Sequence, residues 1–160
     1  MYRAISATVA QIIALNASLP ANIGQPSVRA SNSLISPVER RVYVVAGDVW
    51  RVKEEANDCD FHLEMSARGA GPRADRIIVE IPQEQTTARR ALLALLPGDR
   101  AIGPDTTINL TRSVPIRVTG YAFFDAHHYS ARKVRGNSHG TAYVATLWEI
   151  HPVWKVEPVR

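Results

Sequence analysis

Five stretches of this chain alternate apolar and polar residues with a two-residue period, and between the third and the fourth the period lengthens to that of a helix. From Cys59 to Ser66, Phe61, Leu63 and Met65 alternate with Asp60, His62 and Glu64, which predicts a strand with one face in a core. Before it, Arg40 to Lys53 alternates Val42, Val44 and Ala46 with Tyr43 and Val45, and Gly47 marks a place where a long strand could bend or bulge. After it, Arg76 to Pro82 sets Ile77, Val79 and Ile81 toward a core and turns Ile78 and Glu80 out. Gln83 to Gly98 then places Ala88, Leu92, Leu95 and Leu96 at helical spacing, with Arg89 and Arg90 toward solvent and Pro97-Gly98 as the stop. A loop with room for a short strand at Thr107 to Leu110 leads to a fourth strand over Pro115 to Asp125, with Ile116 and Val118 inside and Arg117, Thr119 and Tyr121 outside. The fifth, Thr146 to Glu157, alternates Leu147, Glu149, His151 and Val153 with Trp148, Ile150 and Pro152, and the second set is the core side.

Ahead of these elements, Ser18 to Ser36 is rich in Pro, Ala, Asn, Gly and Ser, and Pro20, Pro26 and Pro37 deny it regular pairing. The division expected is a helix and arm over 1–37 and a β domain over 38–160. Residues 1–20 have two readings, an export signal or a short helix with Ile5, Val9, Ile12 and Ile13 on one side; Ser6, Thr8, Gln11 and Asn16 interrupt the continuous apolar stretch an export signal requires. Three strands, a helix and two strands is the order of the OB-fold, a five-stranded Greek-key barrel. The fold class expected is therefore mainly β, an OB-like barrel with one helix between strands three and four. A β-sandwich with one helix, or another α+β domain, is the competing arrangement.

At 160 residues the chain can close one hydrophobic core without cross-links, and 46% hydrophobic with 21% charged residues is a soluble globular balance. No apolar run nears the roughly 20 residues that span a bilayer, so no membrane partner is expected. The single cysteine, Cys59, excludes an internal disulfide and a multi-cysteine zinc site, and points to a reducing, cytoplasmic setting unless residues 1–20 direct export. A formal charge of +4 leans toward anionic partners.

An OB strand order makes strands two, three and five neighbours. Asp60, His62, Glu80, Glu149 and His151 would then share one outer patch, and imidazoles with carboxylates suit Zn²⁺ or Mn²⁺ or general acid–base work. Asp125, His127 and His128 follow strand four and could extend that patch. Tyr129, Arg132, Lys133 and Arg135, in the loop OB barrels use beside their binding face, suit phosphate neutralisation and base stacking. Against each of these stands the plain reading of a wet strand face or a solvated loop. No Walker-type lysine motif, dinucleotide fingerprint or glycine-flanked serine elbow is present. Three functions follow in order: a binding module for an anionic partner, single-stranded nucleic acid first; a metal-dependent hydrolase with a bound water as nucleophile; and a structural or interaction domain. Whether the chain is an enzyme stays open at this point.

The segments NDCDFHLEM, IIVEIP, VTGYAFFDAHH and TLWEIHPVWKVE resemble a group of uncharacterised small bacterial proteins in which these motifs recur in this order. The resemblance marks Asp58, Asp60, His62, Glu80, Pro82, Gly120, Phe123, Phe124, Asp125, Trp148, Glu149, His151 and Pro152, and implies no established activity. Cys59 departs from it, standing where a small residue is common. The element order is also similar to the staphylococcal-nuclease variant of the OB barrel, whose arginine and carboxylate set has no matching positions here.

Overall fold

The computed structural model describes residues 3–25, 28, 35–98, 102–129 and 140–159. Strand β1 (Ile5–Ala7) leads to helix α1 (Val9–Ile13), followed by β2 (Val42–Glu54), β3 (Phe61–Ser66), β4 (Arg76–Ile81), helix α2 (Thr86–Leu95), β5 (Thr107–Phe124) and β6 (Val144–Pro158). The sheet runs β1-β2-β3-β4-β6-β5 and closes through β2–β5 pairing, with β4–β6 parallel and the other pairings of the closed ring antiparallel. This is the closed Greek-key order of an OB-like barrel, with α2 between its third and fourth strands and β1 added as an extra parallel edge.

The barrel interior is built by the alternation that the sequence displays. Phe61, Leu63 and Met65 from β3 and Ile77, Val79 and Ile81 from β4 join Val45, Val49, Ile116, Val118 and Ile150 in one core. Helix α2 adds Ala88 and Leu92, and packs on β6. Helix α1, capped by a reciprocal Thr8–Gln11 pair, sends Val9 and Ile12 into the same core. Ile5 is not on that helix. It lies in β1 opposite Tyr43 and is exposed.

Three features depart from simple alternation. The bulge in β2 falls between Val49 and Arg51, not at Gly47. Gly47 is needed for a close approach instead, because a Cβ there would lie 2.5 Å from Met65 Cγ and 2.6 Å from the Ser66 carbonyl oxygen. Strand β5 is continuous from Thr107, so the expected short strand and the fourth strand are one. In β6, Gly120↔Val153 and Ala122↔Ile150 leave one extra residue on β6, which places Val153 in the core; Leu147 is also buried there. A Cβ on Gly120 would meet Ile150 Cγ2 and the Pro152 carbonyl oxygen, both at 2.7 Å, so only glycine lets β5 pass this bulge.

The outer face of β3 and β4 was expected to be wet, yet every residue of both strands is buried. Charged and polar partners cover it. Arg51 and Arg76 reach across to Glu64, Trp50 Nε1 donates to Ser66 Oγ, and Thr141 donates to Glu64 from the end of the β5–β6 connection. Arg89 also leaves its expected solvent position, lying 3.6 Å from the Phe61 ring centroid and donating to Cys59 O and Glu54 Oε1. Among the described residues, no helix is long and apolar enough to cross a membrane.

Candidate metal centre and ligand cleft

Register brings a row of chemistry-bearing side chains across four strands. Lys53 is opposite His62, and His62 is opposite Glu80. Because β4 and β6 run parallel with Val79 beside Ile150, the next residue on each, Glu80 and His151, is also adjacent. Glu80 sits in the middle with one oxygen for each imidazole. Its Oε1 is 3.2 Å from His62 Nδ1 and its Oε2 is 2.6 Å from His151 Nδ1. Asp60, just before β3, is held by the Gln83 amide donating to Oδ1 at 3.2 Å, and its Oδ2 lies 3.9 Å from His151 Nε2.

One donor atom from each of Asp60, Glu80 and His151 lies within 4.8 Å of the others. Two ligands of one ion at 2.0–2.2 Å are separated by about 3–4.4 Å, so small side-chain adjustments fit the triad to a cation. Two carboxylates and an imidazole suit Zn²⁺ or Mn²⁺ and leave coordination positions for water or ligand. His62 borders the triad through Glu80, where it can orient the carboxylate as neighbours of metal ligands do.

Burial and neighbouring charge both act on the titratable groups of the site. Burial raises the Asp60 pKa, and the charges of Asp58 and Glu80 raise it further. For His151, burial alone would lower the pKa, but the hydrogen bond and charge of Glu80, with Asp60 and Asp58, outweigh it and hold the imidazole above its ordinary value. Glu149 is 2% exposed and lies outside the triad. Burial, then the charges of Glu80 and Asp125, push its carboxyl well above the usual range.

That shift has a measurable consequence. A carboxyl raised above 4.5 in the fold keeps a proton that the unfolded chain has released, so its cost to stability is absent below pH 4.5 and grows as pH climbs toward the folded pKa. Glu149→Gln is therefore expected to stabilise the protein at pH 8 more than at pH 4.5. Urea unfolding in EDTA at both values checks it, and an equal change at both would refute it.

At the Lys53 end of the row opens a cleft of about 490 Å³. Arg51 and Lys53 of β2, Glu55, Asn57 and Asp58 of the β2–β3 turn, and His128, Gly140 and Thr141 line it. Glu55 connects it to the row, with Oε1 4.0 Å from His62 Nδ1 and Oε2 2.6 Å from Lys53 Nζ. The trio Asp125, His127 and His128 divides. Asp125 is buried and contacts His128 Nδ1, His128 faces the cleft, and His127 is exposed. Tyr129 packs on Phe124 with ring centroids 6.3 Å apart. Arg132, Lys133 and Arg135 lie outside the described residues. Sequence patterning passes over Arg51, Lys53 and Glu55, although pairing the hairpin around residues 54–58 would set Lys53 against His62.

No protein-family model matches this chain, and no curated protein matches it. Among solved structures it is similar to Entamoeba histolytica asparaginyl-tRNA synthetase in complex with asparaginyl-adenylate, at 12% identity and a TM-score of 0.41. The likeness covers 73% of this chain and 20% of that one, so the chain spans about a fifth of that structure's length. The barrel class rests on the strand order and pairings described above.

Proposed function

We propose that this chain is an OB-like binding module that takes an anionic ligand, single-stranded nucleic acid first, through a divalent cation held by Asp60, Glu80 and His151. The observation that supports this reading best is the triad's place. OB barrels bind ligands on the face of their second and third strands, between the loop joining strands one and two and the loop joining strands four and five. In this chain those strands are β3 and β4, whose outer face is covered by side chains, and the cleft opens beside them, lined from the two corresponding loops.

A cation would serve such a ligand because carboxylates gather at the triad. Arg51 is engaged by Glu64 and Lys53 by Glu55, while Asp58, Asp60 and Glu80 crowd the triad. A divalent ion among these carboxylates would add positive charge and offer open positions to a phosphate oxygen. Arg51 and Lys53 would then flank the ligand.

Binding of a fluorescein-labelled oligonucleotide, followed by anisotropy at low salt with untagged protein, is expected in Mn²⁺, to weaken steeply as salt rises, and to disappear in EDTA. Equal binding in EDTA would remove the cation from the reading, and no binding in either would remove the nucleic acid. The open coordination positions also favour a second reading, metal-dependent hydrolysis, in which the ion lowers the pKa of a bound water. Cleavage of the same oligonucleotide on a gel, dependent on Mn²⁺ or Zn²⁺, separates catalysis from binding.

A further inference from the structure

We propose that the outer face of β5 and β6 is a base-stacking track that leads a single strand of nucleic acid to the triad, an inference that rests on the ligand reading above. Tyr121 pairs with Trp154 at a centroid distance of 5.0 Å and an interplanar angle of 57°, and Phe123 pairs with His151 at 5.3 Å and 52°. Phe123 is 38% exposed, and neither it nor Tyr121 nor Trp154 belongs to the barrel core, which is filled from the same strands by Val118, Ala122, Phe124, Val153 and Val156. Four aromatic rings are thus held on the outside of a barrel that does not need them for its interior.

Their spacing and surroundings select the occupant. Tyr121 and Phe123 are two residues apart on one strand, about 6.8 Å, which is twice the 3.4 Å rise of stacked bases and leaves room for one base against each ring. Rings that offer a π-face take any base, each worth a large factor in affinity. The charges follow the same line. Arg117 and Lys155 are exposed toward one end, Arg117 opposite Glu157 and Lys155 opposite Thr119 and 3.0 Å from Glu157 Oε1, and the triad lies at the other end through His151. Phosphates would meet Arg117, and Lys155 in exchange for Glu157, where the strand enters and the bound ion where it ends. The track lies on the strands next to the β3–β4 face, so it lengthens the ligand path rather than duplicating it.

The test compares wild type with Trp154→Leu, a position that packs on Tyr121 and is not one of the triad residues, using a labelled oligothymidylate and an abasic deoxyribose-phosphate oligomer of equal length in Mn²⁺. The variant is expected to lose about tenfold in affinity for oligothymidylate. Affinity for the abasic oligomer, and for Mn²⁺ read by electron paramagnetic resonance, should be unchanged. Tyr121→Leu, which removes the ring packed on Trp154 and not the one packed on His151, repeats the comparison if Trp154→Leu proves unstable. Unchanged oligothymidylate affinity, an equal loss on the abasic oligomer, or binding of a neutral oligosaccharide in place of the oligonucleotide would each overturn the track. If wild type binds Mn²⁺ and no oligothymidylate, the track and the nucleic-acid ligand fail while the metal centre survives. If the tenfold loss appears without any Mn²⁺ binding, the track stands and the cation fails.

Discussion

Glu80→Gln is expected to abolish stoichiometric binding of Mn²⁺ or Zn²⁺, measured by calorimetric titration of untagged protein. Glu80 supplies one of three donors and is the member that touches the others' surroundings most closely, at 2.6 Å from His151 Nδ1 and 3.2 Å from His62 Nδ1. Losing a group that merely orients a metal ligand costs about 10–100-fold in affinity, and loss of a ligand should exceed that. The fold should survive, because the substitution removes a negative charge that raises the pKa of both Asp60 and Glu149. The His151 pKa should fall in the variant, since the hydrogen bond and charge of Glu80 are what offset burial there. Nuclear magnetic resonance titration reads that fall independently of any metal. Wild-type protein without stoichiometric metal, and with no rise in melting temperature on adding either ion, would end the metal proposal.

The fold was legible where local chemistry decides it. Phe61, Leu63 and Met65, and Ile77, Val79 and Ile81, announce their strands by a two-residue period, and the change of period at Ala88 and Leu92 announces the helix that separates three strands from two. The boundaries that failed are set by neighbours. Pro115 reads as the start of a strand because it lacks an N–H, but β5 carries it opposite Asp48 and continues to Thr107. The extra β6 residue is invisible to a pattern that assumes strict alternation, so Val153 falls on the wrong side.

The candidate site divides in the same way. His62, Glu80 and His151 share a face because register follows from strand order, which the element sequence implies. What alternation cannot convey is whether the second face is covered. The burial of that face depends on Glu64 meeting Thr141, 77 positions away in sequence, and Arg76 meeting Trp50 and Tyr143. Glu149 has the same periodicity as His151, yet one is sealed and the other half-exposed.

Glu64→Ala is expected to be the most damaging single change in the barrel, costing about 3–5 kcal/mol. The Glu64 carboxylate is fully buried and receives four donors: Arg76 Nη1 at 2.9 Å, Arg51 Nη1 at 3.2 Å, and the Thr141 amide and hydroxyl at 2.8 and 2.6 Å. Removing it strands the Arg76 guanidinium, which is 6% exposed and lies 4.7 Å from the Tyr143 ring centroid, in a site where its charge has no matching anion among those contacts. Burial alone would raise the Glu64 pKa, but Thr141, Arg76 and Arg51 overcome it and hold the carboxyl below 4.5. The stability it contributes is therefore present above pH 4.5 and lost as pH falls through the folded pKa. Guanidinium unfolding should show the full loss in Glu64→Ala at pH 7 and a smaller difference from wild type in acid below that pKa. Thr141→Ala separates the second role of this contact. It keeps both arginine pairs, so it should cost about 1 kcal/mol, while freeing the cleft wall formed by residues 140 and 141 and weakening ligand binding out of proportion to stability. A loss below about 1 kcal/mol in Glu64→Ala would mean that the arginines find other partners, and that the outer face of β3 and β4 is closed by packing alone.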